Sequence, residues 1–145
     1  MANPQIAQGT LNRARGSVVV ADSPELNVTA PYLGREGIST NFEGDTTARI
    51  HTLTGVVNSP EIYMPVTVTI TLLKTQGLSD TYKQRMETNA LIGDITVIPD
   101  SPALSNYFFQ NCSIRNVHDL PFNGTTPNFM VTLQGFYPVN SALFD

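Results

Sequence analysis

The sequence predicts a mainly β fold of the α+β class, an antiparallel β-sandwich or barrel-like domain with one flanking α-helix. Three observations support this prediction. Short segments that alternate apolar and polar residues recur along the chain, and Gly, Pro, Asn and Asp separate them, which is the pattern of strands and turns. A single segment repeats apolar residues at helical spacing. The length of 145 residues fits one domain, residues 1–145, with a hydrophobic core of its own.

The clearest strand is predicted over residues 64–74, where branched apolar residues alternate with threonines. The apolar positions are Val66, Val68, Ile70 and Leu72, and the threonines are Thr67, Thr69 and Thr71. Successive side chains of a strand point to opposite faces, so one face is predicted to be buried. The other face carries uncharged hydroxyl groups. Such a face suits the wall of a water-filled space whose contents it does not bind specifically.

The chain before this strand is predicted to hold an N-terminal arm, residues 1–16, and several short strands. Residues 18–20 are three valines without alternation, a pattern that indicates burial on both sides. Residues 38–42 alternate, and Gly44 with Asp45 offers the positive-φ chemistry of a tight hairpin. The return strand would cover residues 46–57, and Pro60 would mark a turn at residues 58–61. A long hairpin and two strands with a loop between them both fit this pattern.

One helix is predicted after Gln76 and Gly77. Leu78, Tyr82, Met86 and Ala90 recur every fourth residue and form one apolar stripe, which we expect to pack on the sheet. Ser79 is the expected N-cap, and Gly93 is expected to close the segment.

The remaining strands are predicted around residues 95–97, 107–117 and 129–133, with an exposed loop at residues 121–127. The C-terminal tail, residues 141–145, contains Leu143 and Phe144. These two side chains are apolar for a free terminus, so the tail is expected to dock on other protein.

Charge and composition exclude several classes of function. The net charge is −4, which argues against a nucleic-acid binder that depends on phosphate contacts. Charged residues make up only 14% of the chain, and an uncharged polar surface is typical of contact with other protein. No leader-like start or long apolar run is present, so the protein is expected to be made in a cytoplasm and to have no membrane partner.

No catalytic or cofactor-binding pattern is apparent, and we expect no enzyme activity. The histidines, His51 and His118, lack the second ligands that a metal site needs at helical spacing. His118 and Asp119 could form part of a hydrolytic triad, but no nucleophile motif accompanies them. Cys112 is the single cysteine, and its neighbours indicate a small buried side chain in a strand rather than a reactive thiol.

Acidic side chains lie at the two predicted turns of the first half of the chain. They are Glu43, Asp45 and Glu61. One interpretation is that they only keep the protein soluble. The other is that they meet basic residues of a neighbouring copy, since rim charges set the register between subunits. The candidate basic partners are Arg13, Arg15, Arg35 and Lys74.

Four stretches of the sequence resemble the tail tube proteins of long-tailed bacteriophages, especially those with contractile tails. They are LTGVVNSPEIYMPV at residues 53–66, TITLLKTQ at 69–76, LIGDITV at 91–97 and TLQGFYPVNS at 132–141. The resemblance covers the chain from about residue 38 to its end. It rests on accumulated similarity and matching length, because none of these strings is a chemical signature.

The resemblance implies a structural virion protein that forms hexameric rings stacked into a hollow tube. Its expected partners are other copies of itself, the tape measure protein, the sheath, and baseplate or terminator proteins. DNA would pass through the lumen without specific binding. The neutral face of Thr67, Thr69 and Thr71 would then line that lumen, because small uncharged groups give phosphates nothing to hold.

Two alternatives share parts of this pattern. The tube of a contractile injection system or a type VI-like secretion system would have the same fold and a different cargo. A monomeric β-sandwich binding module would instead need an exposed aromatic cluster, and the chain contains no Trp.

Overall fold

The computed structural model describes residues 5–118 and 120–143, with the side chain of His118 left out. Within these residues the chain forms eight strands and one α-helix. The strands are β1 (Ser17–Val20), β2 (Leu33–Phe42), β3 (Thr47–His51), β4 (Val56–Pro60), β5 (Tyr63–Leu73), β6 (Leu91–Ile98), β7 (Tyr107–His118) and β8 (Asn128–Pro138), and the helix α1 is Gly77–Thr88. The predicted mainly β fold with one helix is confirmed.

Six strands form one antiparallel sheet in the order β1-β6-β7-β8-β5-β2, and β3 pairs with β4 in a separate two-stranded sheet. The larger sheet curls strongly. The rings of Phe42, at the end of β2, and Tyr107, at the start of β7, have centroids 6.1 Å apart although two strands lie between β2 and β7. Across a flat sheet these strands would lie roughly 14 Å apart. The sheet is therefore a half-barrel, so the barrel-like architecture is the correct one of the two predicted.

Strand β5 lies inside the sheet and has the predicted alternation. It pairs with β8 along its whole length, from Tyr63 opposite Pro138 to Leu73 opposite Asn128, and with β2 on its other edge. The four predicted core residues are each at most 2% exposed: Val66, Val68, Ile70 and Leu72. Their burial inside the curl provides the centre of the hydrophobic core.

Helix α1 packs on the sheet through the predicted stripe. Leu78 and Tyr82 are buried, and the Tyr82 hydroxyl donates a hydrogen bond to the carbonyl of Leu26 at 2.6 Å. The predicted ends of the helix are wrong. The helix begins at Gly77, so Ser79 lies inside the first turn, where its hydroxyl donates to the Leu73 carbonyl at 2.7 Å instead of capping. Gly93 lies in β6, where a register shift requires its φ of +80°.

The predicted hairpin at Gly44 and Asp45 is also wrong. Phe42 pairs with Val66 of β5, and Gly44, with a φ of +96°, directs the chain out of the large sheet. The tight reversal comes later, where the Thr52 amide donates to the Gly55 carbonyl at 2.8 Å. The predicted return strand is thus divided into β3 and β4.

Residues 58–60, predicted as a turn, belong to β4. Pro60 is the last residue of that strand and lies opposite Thr47. A proline is tolerated there because the end of a two-stranded ladder needs no further donor.

The burial of β1 differs from the prediction. Val18 and Val20 are fully buried, but Val19 is 37% exposed, because β1 is an edge strand with one face toward solvent. Its outer edge is closed by the chain itself. Val18 and Val28 exchange backbone hydrogen bonds of 3.0 Å and 2.8 Å across an isolated bridge.

The described parts of the arm and the tail are exposed. Ile6 is 82% exposed and Leu11 is 67% exposed, while the Asn12 amide reaches the Asp100 carbonyl at 3.4 Å. In the tail, Leu143 is 66% exposed and so does not dock on its own chain. Phe144 lies outside the described residues.

Candidate assembly surfaces

A face of uncharged polar side chains covers the outer side of four neighbouring strands, and we call it the hydroxyl face. The strand register places Thr67 between Asn41 and Gln134, and Thr69 between Ser39 and Thr132. The uncharged polar members of the face are Ser39, Asn41, Thr67, Thr69, Thr71, Ser113, Asn116, Thr132 and Gln134. Met130 lies opposite Thr71, and the charged residues Glu43 and Arg115 line the depression of this surface beside Thr67. The sequence predicted only the β5 row, because the neighbours of a strand cannot be read from its own alternation.

The threonines of β5 are not equally exposed. Thr67 and Thr69 are half-buried, whereas Thr71 is 2% exposed. Thr71 lies beneath β2, since a Cβ placed on Gly34 would come within 3.0 Å of its methyl group. The lumen-lining role predicted for the three residues therefore stays a prediction. Of the three, Thr67 and Thr69 have side chains that are accessible to solvent.

The five charged residues predicted at subunit contacts are all exposed: Arg13, Arg15, Glu43, Asp45 and Glu61. One of them joins the hydroxyl face, because the Thr67 hydroxyl donates to a carboxylate oxygen of Glu43 at 2.7 Å. None of the five forms an ion pair within the described residues. The ion pairs seen there are Lys83 with Glu87 at 3.4 Å and Arg85 with Glu25 at 3.1 Å.

The hairpin β3–β4 is the least covered part of the sheet structure, and it is amphipathic. Cross-strand partners point to the same side, so Ile50 and Val57 share one face. The other face carries Arg49 with Asn58, and His51 with Val56. Ile50 is 54% and Val57 is 52% exposed, and Leu53 in the connecting loop is fully exposed. The apolar face of the hairpin is thus open to solvent at Ile50 and Val57.

The base of the hairpin is fixed to the body. The Asn140 side-chain amide donates to the carbonyls of Thr46 at 2.9 Å and Glu61 at 2.8 Å. The Glu61 amide also donates to the Thr46 carbonyl at 2.9 Å, which closes the base. Asn140 has a φ of +56°, a conformation that Asn tolerates better than most residues. Sequence reasoning missed this contact, because the two partners are far apart in the chain.

A cleft of about 700 Å³ separates β2 from the ends of β6 and β7, where the half-barrel stays open. Its apolar wall includes Ile38, Phe42, Val97 and Tyr107. Phe42 is 39% exposed and contacts the rings of Tyr107, Phe109 and Tyr137, with centroids 6.1, 6.0 and 5.7 Å away. Arg13, Arg35, Glu36 and Asp100 also line the cleft.

The residues with possible chemistry are dispersed. Cys112 is buried, as predicted, and burial raises the pKa of its thiol to about 12. His51 is exposed on the polar face of the hairpin. In the part of the chain that the structure describes, no three His, Cys, Asp or Glu side chains group at metal-binding distance. The possible pair of His118 and Asp119 lies outside the described side chains, and the predicted lack of enzyme activity stays a prediction.

No helix of the described residues is long and apolar enough to cross a lipid bilayer. The sequence matches no protein-family model and no curated protein. Among solved structures, the chain is similar to the cryo-EM structure of the anti-feeding prophage cap, which terminates the tube of that particle. The identity is 14% and the TM-score is 0.49, over 94% of this chain and 92% of that chain. At these values the likeness does not decide what this chain does.

Proposed function

We propose that the chain is a structural protein of a phage-tail-like particle, whose copies form rings that stack into a hollow tube. The observation that carries the proposal is the amphipathic hairpin. A two-stranded hairpin is marginally stable by itself in water, and this one leaves Ile50, Leu53 and Val57 exposed. Exposed apolar surface of this kind marks an interaction site.

A contact between copies fits this surface better than a small ligand does. The hairpin forms a two-stranded sheet of its own outside the large sheet, and the cleft beside β2 is concave, so the chain carries two different surfaces on which a second copy can bind. Contacts between unlike patches of identical subunits generate closed rings or open helical filaments. Both are the building units of a tube.

The hydroxyl face supports the second half of the proposal, a lumen. It presents mainly uncharged side chains on four neighbouring strands, with Arg115 and Glu43 as the charges beside Thr67, and the subunit is negatively charged overall. Such a wall offers few attachment points to DNA phosphates, as a conduit for DNA requires. The resemblance of the sequence to phage tail tube proteins points to the same use. In that setting the partners would be the tape measure protein, a sheath, and baseplate or terminator proteins of the virion.

The alternative function, a monomeric β-sandwich that binds sugars, requires a flat platform of exposed aromatic rings. Tyr63, which is 54% exposed, lies beside Phe136 with ring centroids 5.4 Å apart. Their planes are inclined by 58°, so the two rings do not present one flat surface to a sugar. A tube that carries toxin or effector protein would use the same surfaces, and its cargo would distinguish it.

Electron microscopy of the purified protein over a range of concentrations tests the proposal. We expect rings at low concentration and tubes with a regular axial repeat at high concentration. A protein that stays monomeric by sedimentation at every concentration and salt would contradict self-assembly.

The lumen is tested separately with charge variants of assembled tubes. Thr69→Lys places a cation on the hydroxyl face in every copy, and Thr88→Lys places one on the exposed end of α1 as a control. We expect Thr69→Lys tubes to release DNA slowly at low salt and faster as salt rises, because phosphate binding releases counterions. Release that is equally fast from both variants at every salt concentration would place the hydroxyl face away from the lumen.

A further inference from the structure

The loop between β7 and β8 contains the only Asn-Gly sequence of the chain, Asn123 followed by Gly124. The glycine nitrogen can approach the asparagine side chain closely, because glycine has no Cβ to obstruct it. Both residues are exposed, and a Cβ placed on Gly124 would meet no atom within 4 Å. The site is therefore open to water.

Three hydrogen-bond donors converge on the side-chain oxygen of Asn123. Its Oδ1 accepts from the Thr125 amide at 3.0 Å, the Thr125 hydroxyl at 3.0 Å and the Thr126 amide at 2.8 Å. Negative charge develops on this oxygen when a nucleophile adds to Cγ, so donors at these distances stabilise the adduct as an oxyanion hole does. Among the residues that the structure describes, Nδ2 of Asn123 has no acceptor, so the leaving group is not held.

A cation lies beside the peptide group that supplies the nucleophile. The Lys74 Nζ is 3.5 Å from the carbonyl oxygen of Asn123, and the nitrogen of that peptide group belongs to Gly124. Loss of the amide proton leaves a charge that nitrogen and oxygen share, so a nearby positive charge favours it. Lys74 is fixed in this position, because its Nζ also donates to the Pro121 carbonyl and its amide donates to the Pro127 carbonyl at 2.8 Å.

We propose that Asn123 is a site of spontaneous modification, at which the side-chain amide is converted to a carboxylate. The Gly124 nitrogen loses its proton and bonds to Cγ of Asn123, and Nδ2 leaves as ammonia, which gives a cyclic imide. Water then adds to one of the two imide carbonyls and breaks its bond to nitrogen. Opening at Cγ gives aspartate, and opening at the main-chain carbonyl gives isoaspartate. Water is the only other reactant, and no group is oxidised or reduced.

The modification changes the surface next to the site. Residues 121–127 carry no charged side chain, and Phe122 beside the site is 91% exposed. Each conversion adds a carboxylate to this loop and makes the net charge of −4 one unit more negative. Isoaspartate also lengthens the main chain by one carbon atom. The reaction needs no second copy, so it is independent of the proposed function.

Two other asparagines of the chain serve as internal controls. Asn58 precedes Ser59 within β4, and Asn140 precedes Ser141. The Nδ2 group of Asn140 is held by the carbonyls of Thr46 and Glu61 at 2.9 Å and 2.8 Å. Both asparagines are followed by a small residue, but neither has the donors that surround the Asn123 oxygen.

Incubation of the full chain in isotopically labelled water at mildly alkaline pH, followed by peptide mapping with mass spectrometry, tests the proposal. We expect aspartate and isoaspartate at the position of Asn123, each with a labelled oxygen, before any change at Asn58 or Asn140. Conversion of either control before Asn123 would overturn the proposal. Aspartate without isoaspartate would also overturn it, because the imide would not be the intermediate.

Two variants test the roles of the neighbours. Gly124→Ala fits the open space and has a φ outside the left-handed region, so it should fold normally and react about tenfold more slowly or less. Thr125→Val removes the hydroxyl donor and keeps the amide donor, so its reaction should also be slower than that of the unsubstituted protein. Melting curves check that both variants are folded. An unchanged rate in Gly124→Ala would exclude attack by the glycine nitrogen, and an unchanged rate in Thr125→Val would contradict activation by the converging donors.

Discussion

Replacing Val57 of the hairpin by aspartate should weaken assembly about a hundredfold, while the same change at the adjacent Val56 should have little effect. Val57 lies on the apolar face with Ile50, and Val56 lies on the polar face with His51. The two valines are 52% and 49% exposed, so the variants Val57→Asp and Val56→Asp are matched in size, charge, position and exposure. They differ in the face of the hairpin that receives the carboxylate.

The expected size of the effect follows from this exposure. Burying a whole valine side chain contributes about 1.5–3 kcal/mol, and about half of Val57 is left to bury at a contact, which gives about 1 kcal/mol. A carboxylate that loses water without a partner adds a cost of about 2 kcal/mol or more. Together these amount to about 3 kcal/mol per contact, or roughly a hundredfold weaker association.

Sedimentation velocity over a concentration series measures the effect as the protein concentration at which particles first form. We expect this threshold to rise about a hundredfold for Val57→Asp and less than threefold for Val56→Asp, by the estimate above. Thermal unfolding of the monomer serves as the control. Aspartate is a poor strand residue at either site, so both variants should lose the same small amount of stability. Equal thresholds for the two variants would refute the assignment of the apolar face.

Three further predictions concern the fold. Gly135→Ala should destabilise the protein by about 1–3 kcal/mol in urea unfolding, because its Cβ would lie 2.5 Å from the Cys112 sulfur; an unchanged midpoint would contradict this packing. Asn140→Ala should leave the melting temperature nearly unchanged but speed amide hydrogen exchange in β3 and β4. Equal exchange rates in the variant and the unsubstituted protein would mean that the hairpin base is held in place without the Asn140 side chain. Burial raises the pKa of Cys112 from 9.0 to about 12, so the stability tied to the neutral thiol is complete below pH 9 and is lost as the pH rises toward 12. Between pH 9 and pH 11 the free energy of unfolding of Cys112→Ala should therefore fall less than that of the unsubstituted protein, by roughly 2 kcal/mol. Equal decreases in the two proteins would mean that ionisation of the thiol does not cause the loss.

The elements that sequence reasoning located correctly are those with a strong local pattern. The alternation of residues 64–74 is set by burial on one side, and β5 shows that burial at Val66, Val68, Ile70 and Leu72. The stripe of α1 likewise predicted that Leu78 and Tyr82 pack on the sheet. In both cases the residues that form the element also determine which face is buried.

The predictions that proved wrong concern which strands pair with each other, not where the strands lie in the sequence. Gly44 does have a positive φ, as the hairpin prediction required, but that torsion directs the chain outward because β2 already pairs with β5. The candidate surfaces depended on the same missing information. Thr71 reads like Thr67 and Thr69 in the sequence, yet the β2 backbone beside Gly34 covers it. Pairing between distant strands sets exposure here, and a single sequence does not record that pairing.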